Sequence, residues 1–147
     1  MAILKVTLGI AFLTGGCGIY LLFRTKTLNI YQWCVSLRLA NMIDSLRYTV
    51  HDWNIPDFVR YSLPDGLYVA AYILIMDAIW QDDDSLIKQL VIALIPAVTI
   101  TSEIFQYFGL IKGTFDVTDL FFYSAPYIAY YINKYQFKFN NLKIQRL

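Results

Sequence analysis

Charge is scarce in this chain. Only 16% of its 147 residues are Asp, Glu, Lys or Arg, whereas 58% are hydrophobic; about a quarter charged is usual for a soluble domain. Twelve basic and eleven acidic residues leave a formal net charge of +1. No basic patch is embedded in a folded-looking segment, which argues against a nucleic-acid partner. Histidine occurs once, at His51, and cysteine twice, at Cys17 and Cys34, with no CxxC. That poverty excludes a His/Cys metal-ligand set, and nothing implies a cofactor. The cysteines read as small apolar packing residues, with a disulfide between them as the alternative. No internal repeat and no low-complexity segment is present.

What the chain has instead is long apolar runs and many aromatic rings. Twelve tyrosines and three tryptophans suit membrane interfaces, where rings with a polar edge are favoured. The residues imply one all-α domain over 1–147, a polytopic membrane helical bundle. Four spans are expected, at 6–23, 63–80, 86–105 and 117–132. The competing reading is a soluble all-helical protein with a greasy core, and the length of the apolar runs opposes it. In the first span Gly9, Gly15, Gly16 and Gly18 permit close helix approach. Pro64 suits the first turn of the second span after Ser62, and Asp65 suits its positive dipole end. Asp77 lies about one turn from Trp80, within reach of water or headgroups. "QDDDS" at 81–85 is a polar turn whose carboxylates are ordinary solvated groups rather than a cation site. Pro96 should kink or open the third span, with Thr99, Thr101 and Ser102 available to the freed backbone groups.

Between the first two spans, residues 29–50 carry Arg38, Asp44 and Arg47. They read either as one amphipathic helix at the interface or as a fifth, partly buried element. Residues 134–147, with Lys134, Lys138, Lys143 and Arg146, read as a basic interfacial tail. That tail and Lys5 favour cytoplasmic termini. Arg24, Lys26, Arg38, Arg47 and Arg60, in the connection between the first two spans, pull the other way.

The chemistry concentrates near "EIFQYFGLIKGTFDVTDL", residues 103–120. Glu103 and Gln106 are three apart, as are Asp116 and Asp119, so each pair shares a helix face. Gly109 and Gly113 bracket a short turn, and Thr114 and Asp116 favour a new helix start. In an antiparallel bundle the end of the third span meets the starts of the second and fourth. Topology alone therefore brings Asp65, Glu103, Gln106, Asp116 and Asp119 to one membrane face. Arg47, Arg60 and Lys112 are the available counter-charges, with His51 in the same connections. Such carboxylates act as acid and base when their pKa values separate, hold a divalent ion, or only cap helices; the sequence leaves these open.

Pro64–Asp65, Glu103 with Gln106, and Asp116 with Asp119 in "GTFDVTDL" together resemble the VanZ-like family of small bacterial membrane proteins. One member of that family is linked to resistance to the glycopeptide teicoplanin. The likeness covers Ser62 to Tyr131. Gly66 stands where members often carry lysine, and no histidine follows. The resemblance implies a multi-pass protein of the bacterial inner membrane and envelope. Its expected role is non-enzymatic: binding a lipid, a cell-wall-related ligand or a protein partner through the polar cluster. The alternatives are a small accessory subunit of a larger membrane complex, or an enzyme acting on lipid-linked substrates.

"LTGGC" loosely resembles a lipoprotein cleavage box, but Thr14 stands where a bulky apolar residue is wanted, and the apolar run continues past Cys17. Val6 to Phe23 should therefore stay attached. Intact-mass spectrometry of protein from native membranes should return a chain containing this segment. A mature chain beginning at or beyond Cys17 would refute it.

Overall fold

The computed structural model describes residues 2–81 and 83–144, with side chains through Gln136. The described residues form seven helices: α1 (Ala2–Phe23), α2 (Asn29–Ser36), α3 (Ala40–Thr49), α4 (Asp57–Tyr61), α5 (Leu63–Ile79), α6 (Leu86–Tyr107) and α7 (Val117–Ile144). No strand occurs among them.

Helix α5 is the centre of the bundle. It packs against α1, α4, α6 and α7, while α6 and α7 also pack on each other. Val69 and Ile73 of α5 and Ile92 of α6 form the buried core, with Tyr72, Met76, Ile95, Tyr123, Tyr127 and Tyr130 closing around it. Pro64 sits in the first turn of α5, where its missing N–H costs nothing. Ser62 precedes it but supplies no side-chain cap.

Two glycines of α1 set its distance from α5. A Cβ on Gly9 would lie 2.7 Å from Ile75 Cγ1 and 3.2 Å from the Ala71 carbonyl oxygen; one on Gly16 would lie 3.1 Å from Tyr68 and 3.3 Å from the Pro64 oxygen. Gly15 makes only ordinary contact, and nothing lies near Gly18, so two of the four glycines carry the close approach. On the opposite side, a Cβ on Gly66 would come within 3.0 Å of Phe122, its backbone oxygen included. The glycine after Asp65 is thus what lets α7 reach α5.

Helix α6 starts at Ser85, whose hydroxyl accepts the Lys88 amide, and runs unbroken through Pro96. The Thr99 hydroxyl bonds the Ile95 and Pro96 carbonyls, and Ser102 bonds that of Thr99; no such bond is found for Thr101. The helix ends in a Schellman arrangement, with Gly109 N bonded to Gln106 O and Leu110 N to Phe105 O. Gly109 takes φ +68°, the left-handed conformation that such an end requires.

Three expectations change. Residues 29–50 are two short helices rather than one, because Arg38 adopts φ 60° between them. Leu39 N then reaches back to Cys34 O and closes α2. Residues 134–144 are not a tail but the end of α7; the side chains of Lys138, Lys143 and Arg146 lie outside the described residues. Finally, two helices rather than four, α1 and α6, are long and apolar enough to cross a membrane. At 17 residues α5 reaches only about 25 Å and carries a carboxylate near each end, while α7 is diluted by tyrosine and polar side chains.

The apolar surface lies outside the bundle. Only 11% of the apolar window of α1 and 17% of that of α6 is buried, and Ile87, Leu90, Leu94, Val98 and Phe105 stand exposed along α6. A soluble core helix would be mostly covered. Gly66→Ala and Gly9→Ala should each destabilise the bundle by about 1–3 kcal/mol through overpacking, read as a lower melting temperature in detergent. Gly18→Ala should change it little, and equal effects at all three positions would contradict this packing.

Candidate functional site: an acidic end and a paired end

The antiparallel course of α1, α5, α6 and α7 creates two polar ends. At one, the C-terminus of α1 meets the N-terminus of α5, the C-terminus of α6 and the N-terminus of α7. Asp65, in the first turn of α5, accepts hydrogen bonds from the hydroxyls of Tyr20 on α1 and Tyr123 on α7. Arg24 stacks over the Tyr20 and Tyr61 rings, 4.7 and 5.2 Å from their centroids, and its charge acts on Asp65.

Asp116 is the N-cap of α7: its Oδ1 accepts the Thr118 amide at 2.7 Å. Thr114 makes no such bond. In a capping box, an acidic side chain three residues later would accept the N-cap residue's own N–H. Here Glu103, from α6, takes that role instead, accepting the Asp116 amide at 3.3 Å. Glu103 is only 3% exposed, so a neighbouring helix completes the cap. Asp119, which stands three residues after the cap, is left with a buried Oδ1 lacking a hydrogen-bond partner among the described residues. The charges of Asp65, Asp116 and Asp119 all act on Glu103, and Asp119 acts on Asp65. Gln106 packs under the turn, where a Cβ on Gly113 would meet its amide at 2.6 Å.

The expected counter-charges are elsewhere. Arg47 donates to the Leu21 and Arg24 carbonyls, each at 2.7 Å, and so caps the C-terminus of α1. Arg60 lines a separate cavity, and Lys112 is exposed in the turn. Among the described residues no cation forms an ion pair with the four carboxylates. The N-terminal dipoles of α5 and α7, two tyrosine hydroxyls and the field of Arg24 provide the compensation. Tyr20, Tyr123 and Arg24 are the site residues that sequence reasoning missed. Nor, among the described residues, is any group of three His, Cys, Asp or Glu side chains arranged to hold a metal ion.

The opposite end is neutralised by cations. Asp77 does not turn to water; it is 8% exposed and lies between Lys5 of α1, Lys88 of α6 and Tyr130 of α7. Lys88, only 4% exposed, bonds Asp77 at 2.8 Å and also caps α5 through the Trp80 carbonyl at 2.8 Å. In the 81–85 turn Asp83 accepts the Ser85 amide and hydroxyl, and Asp84 pairs with Lys134 at 2.8 Å; Asp82 lies outside the described residues.

Comparison with family models, with curated proteins and with solved structures returns no match. Asp77→Leu should strand two lysine charges and cost about 3–5 kcal/mol of stability. Lys88→Met should cost less, because Lys5 and Tyr130 still hold Asp77. Thermal unfolding in detergent measures both, and an Asp77→Leu protein as stable as the parent would contradict the paired end.

Proposed function

We propose that the chain is a VanZ-like, multi-pass protein of the bacterial inner membrane. In this reading α1, α5, α6 and α7 all cross the bilayer, both termini are cytoplasmic, and α2–α4 lie at the opposite surface. The antiparallel course of the four helices and the exposed apolar faces of α1, α6 and α7 support the crossing. The charge paired at one end and gathered at the other supports a bilayer between them, since ionisable groups in hydrocarbon are costly.

Its role is binding rather than catalysis. The observation that carries this is the buried Oδ1 of Asp119, which has no hydrogen-bond partner among the described residues and lies within the field of Asp65 and Glu103. A carboxylate oxygen so placed calls for a donor from outside the chain, so the fitting ligand bears an ammonium, amide or hydroxyl group. A lipid headgroup, a cell-wall-related molecule or a partner's side chain has that chemistry. Capping already accounts for Asp116, which makes it an internal control.

A second reading, an accessory subunit of a larger membrane complex, is favoured by the exposed apolar line Leu90, Leu94, Val98 and Phe105 on α6. Purification from native membranes with identification of retained lipids and proteins separates the two. Asp119→Asn should fold and lose at least about tenfold of the retained ligand, the worth of a charge-assisted hydrogen bond. Asp116→Ala should lose about 1 kcal/mol of stability yet keep it. If Asp119→Asn unfolds, the cluster is structural; if it folds and retains everything, the binding reading fails.

A further inference from the structure

We propose that the cavity between the end of α1, helix α3 and helix α4 binds the phosphate headgroup of an anionic phospholipid, with Arg60 as its principal ligand. The proposal rests on the membrane reading above but not on the acidic cluster, with which the cavity shares no lining residue.

The cavity has a volume of about 360 Å³ and is lined by Lys26, Arg47, Arg60 and His51 against a single carboxylate, Asp44. Two of these cations are already engaged. Lys26 pairs with Asp44 at 2.8 Å, which keeps it charged but neutralised; the same bond raises its pKa. Arg47 spends both terminal nitrogens on the carbonyls at the end of α1. Its guanidinium therefore brings charge to the cavity wall but holds α1 in place. His51 is bonded to its neighbour Asp52. Arg60 is different: its Nε is buried and has no hydrogen-bond acceptor among the described residues. Its guanidinium carbon lies 5.9 Å from the centroid of the Tyr61 ring. A buried guanidinium N–H without an acceptor is costly, and no hydrogen bond or ion pair among the described residues engages the Arg60 fork, whose planar donors match the oxygens of a phosphate as they do those of a carboxylate.

The position specifies a lipid over a soluble phosphate. Leu22 and Phe23, the last residues of the apolar α1, line the cavity, which in the membrane reading is the level at which headgroups lie. Trp53 and Tyr48 on its wall are 61% and 86% exposed. Amphipathic rings at this level are an interfacial signature. One ligand would then join α4 to the end of α1 and to α3, which Arg47 and Lys26 already tie to each other.

The test is native mass spectrometry of the full chain released from detergent, with phosphatidylglycerol, phosphatidylcholine or inorganic phosphate added in turn. Phosphatidylglycerol should bind, and Arg60→Gln should weaken it about tenfold. Arg60→Lys should recover only part of the loss. Phosphatidylcholine should bind at least tenfold more weakly, and millimolar phosphate should not compete. Should Arg60→Gln misfold, a photoactivatable phosphatidylglycerol on the unaltered chain gives the answer: crosslinks should fall within residues 44–60. Crosslinks confined to α6 and α7, unchanged binding in folded Arg60→Gln, or displacement by phosphate would each overturn the proposal. A chain that inserts into bilayers but retains no phosphatidylglycerol would overturn it too, leaving the membrane reading intact.

Discussion

A methyl group at Gly9 or Gly66 would run into the neighbouring helix and one at Gly16 would crowd it, so glycine sets how closely α1 and α7 lie against α5. The rest of the bundle follows from that contact. With backbones this close, the side chains of α5 that point between helices must be small, apolar or fully bonded. Val69, Ala71 and Ile73 meet the demand along its middle. Tyr72 meets it by donating its hydroxyl to the Val91 carbonyl of α6 at 2.6 Å. Because α5 is touched on several sides, the two carboxylates near its ends cannot simply turn outward.

Those two carboxylates are handled in different ways, and the difference gives the molecule its polarity. Asp77 receives two ammonium groups and a hydroxyl, so that end is electrostatically closed. Asp65 receives only hydroxyls, from Tyr20 and Tyr123, and shares its end with Glu103, Asp116 and Asp119. Helix dipoles and Arg24 temper the accumulated negative charge but leave one Asp119 oxygen without a partner among the described residues. An end that is internally satisfied does structural work; an end with an unmet acceptor is the one that an external donor can complete. The proposed binding role rests on that contrast more than on the presence of carboxylates.

Helix starts and stops were the most legible part of the chain. Pro64 ahead of an apolar run, the Gly109–Gly113 bracket and Asp116 before Val117 are local signals, and each acts through backbone conformation within a few residues. Antiparallel topology then put Glu103 with Gln106 and Asp116 with Asp119 at one end of the bundle. Side-chain partners were not legible. Lys5 and Asp77 are separated by 72 positions, and Tyr20 and Asp65 by 45, with no shared motif to announce them. Arg47 looked like a counter-charge because its sign was right, yet two backbone carbonyls at the end of α1 claimed it first. The left-handed turn at Arg38 carries no glycine or asparagine to betray it. Nothing in the 134–144 composition marked it as helix, since Lys134 finds its partner in Asp84, in another connection.

The central claim is that the acidic end and the paired end lie on opposite sides of a bilayer. Single cysteines at Asp52, Gln81 and Lys112, in a background with Cys17 and Cys34 replaced by serine, test it directly. A membrane-impermeant thiol reagent applied to sealed vesicles of known orientation should label positions 52 and 112 from one side and position 81 only from the other. Labelling of all three from the same side would contradict the account.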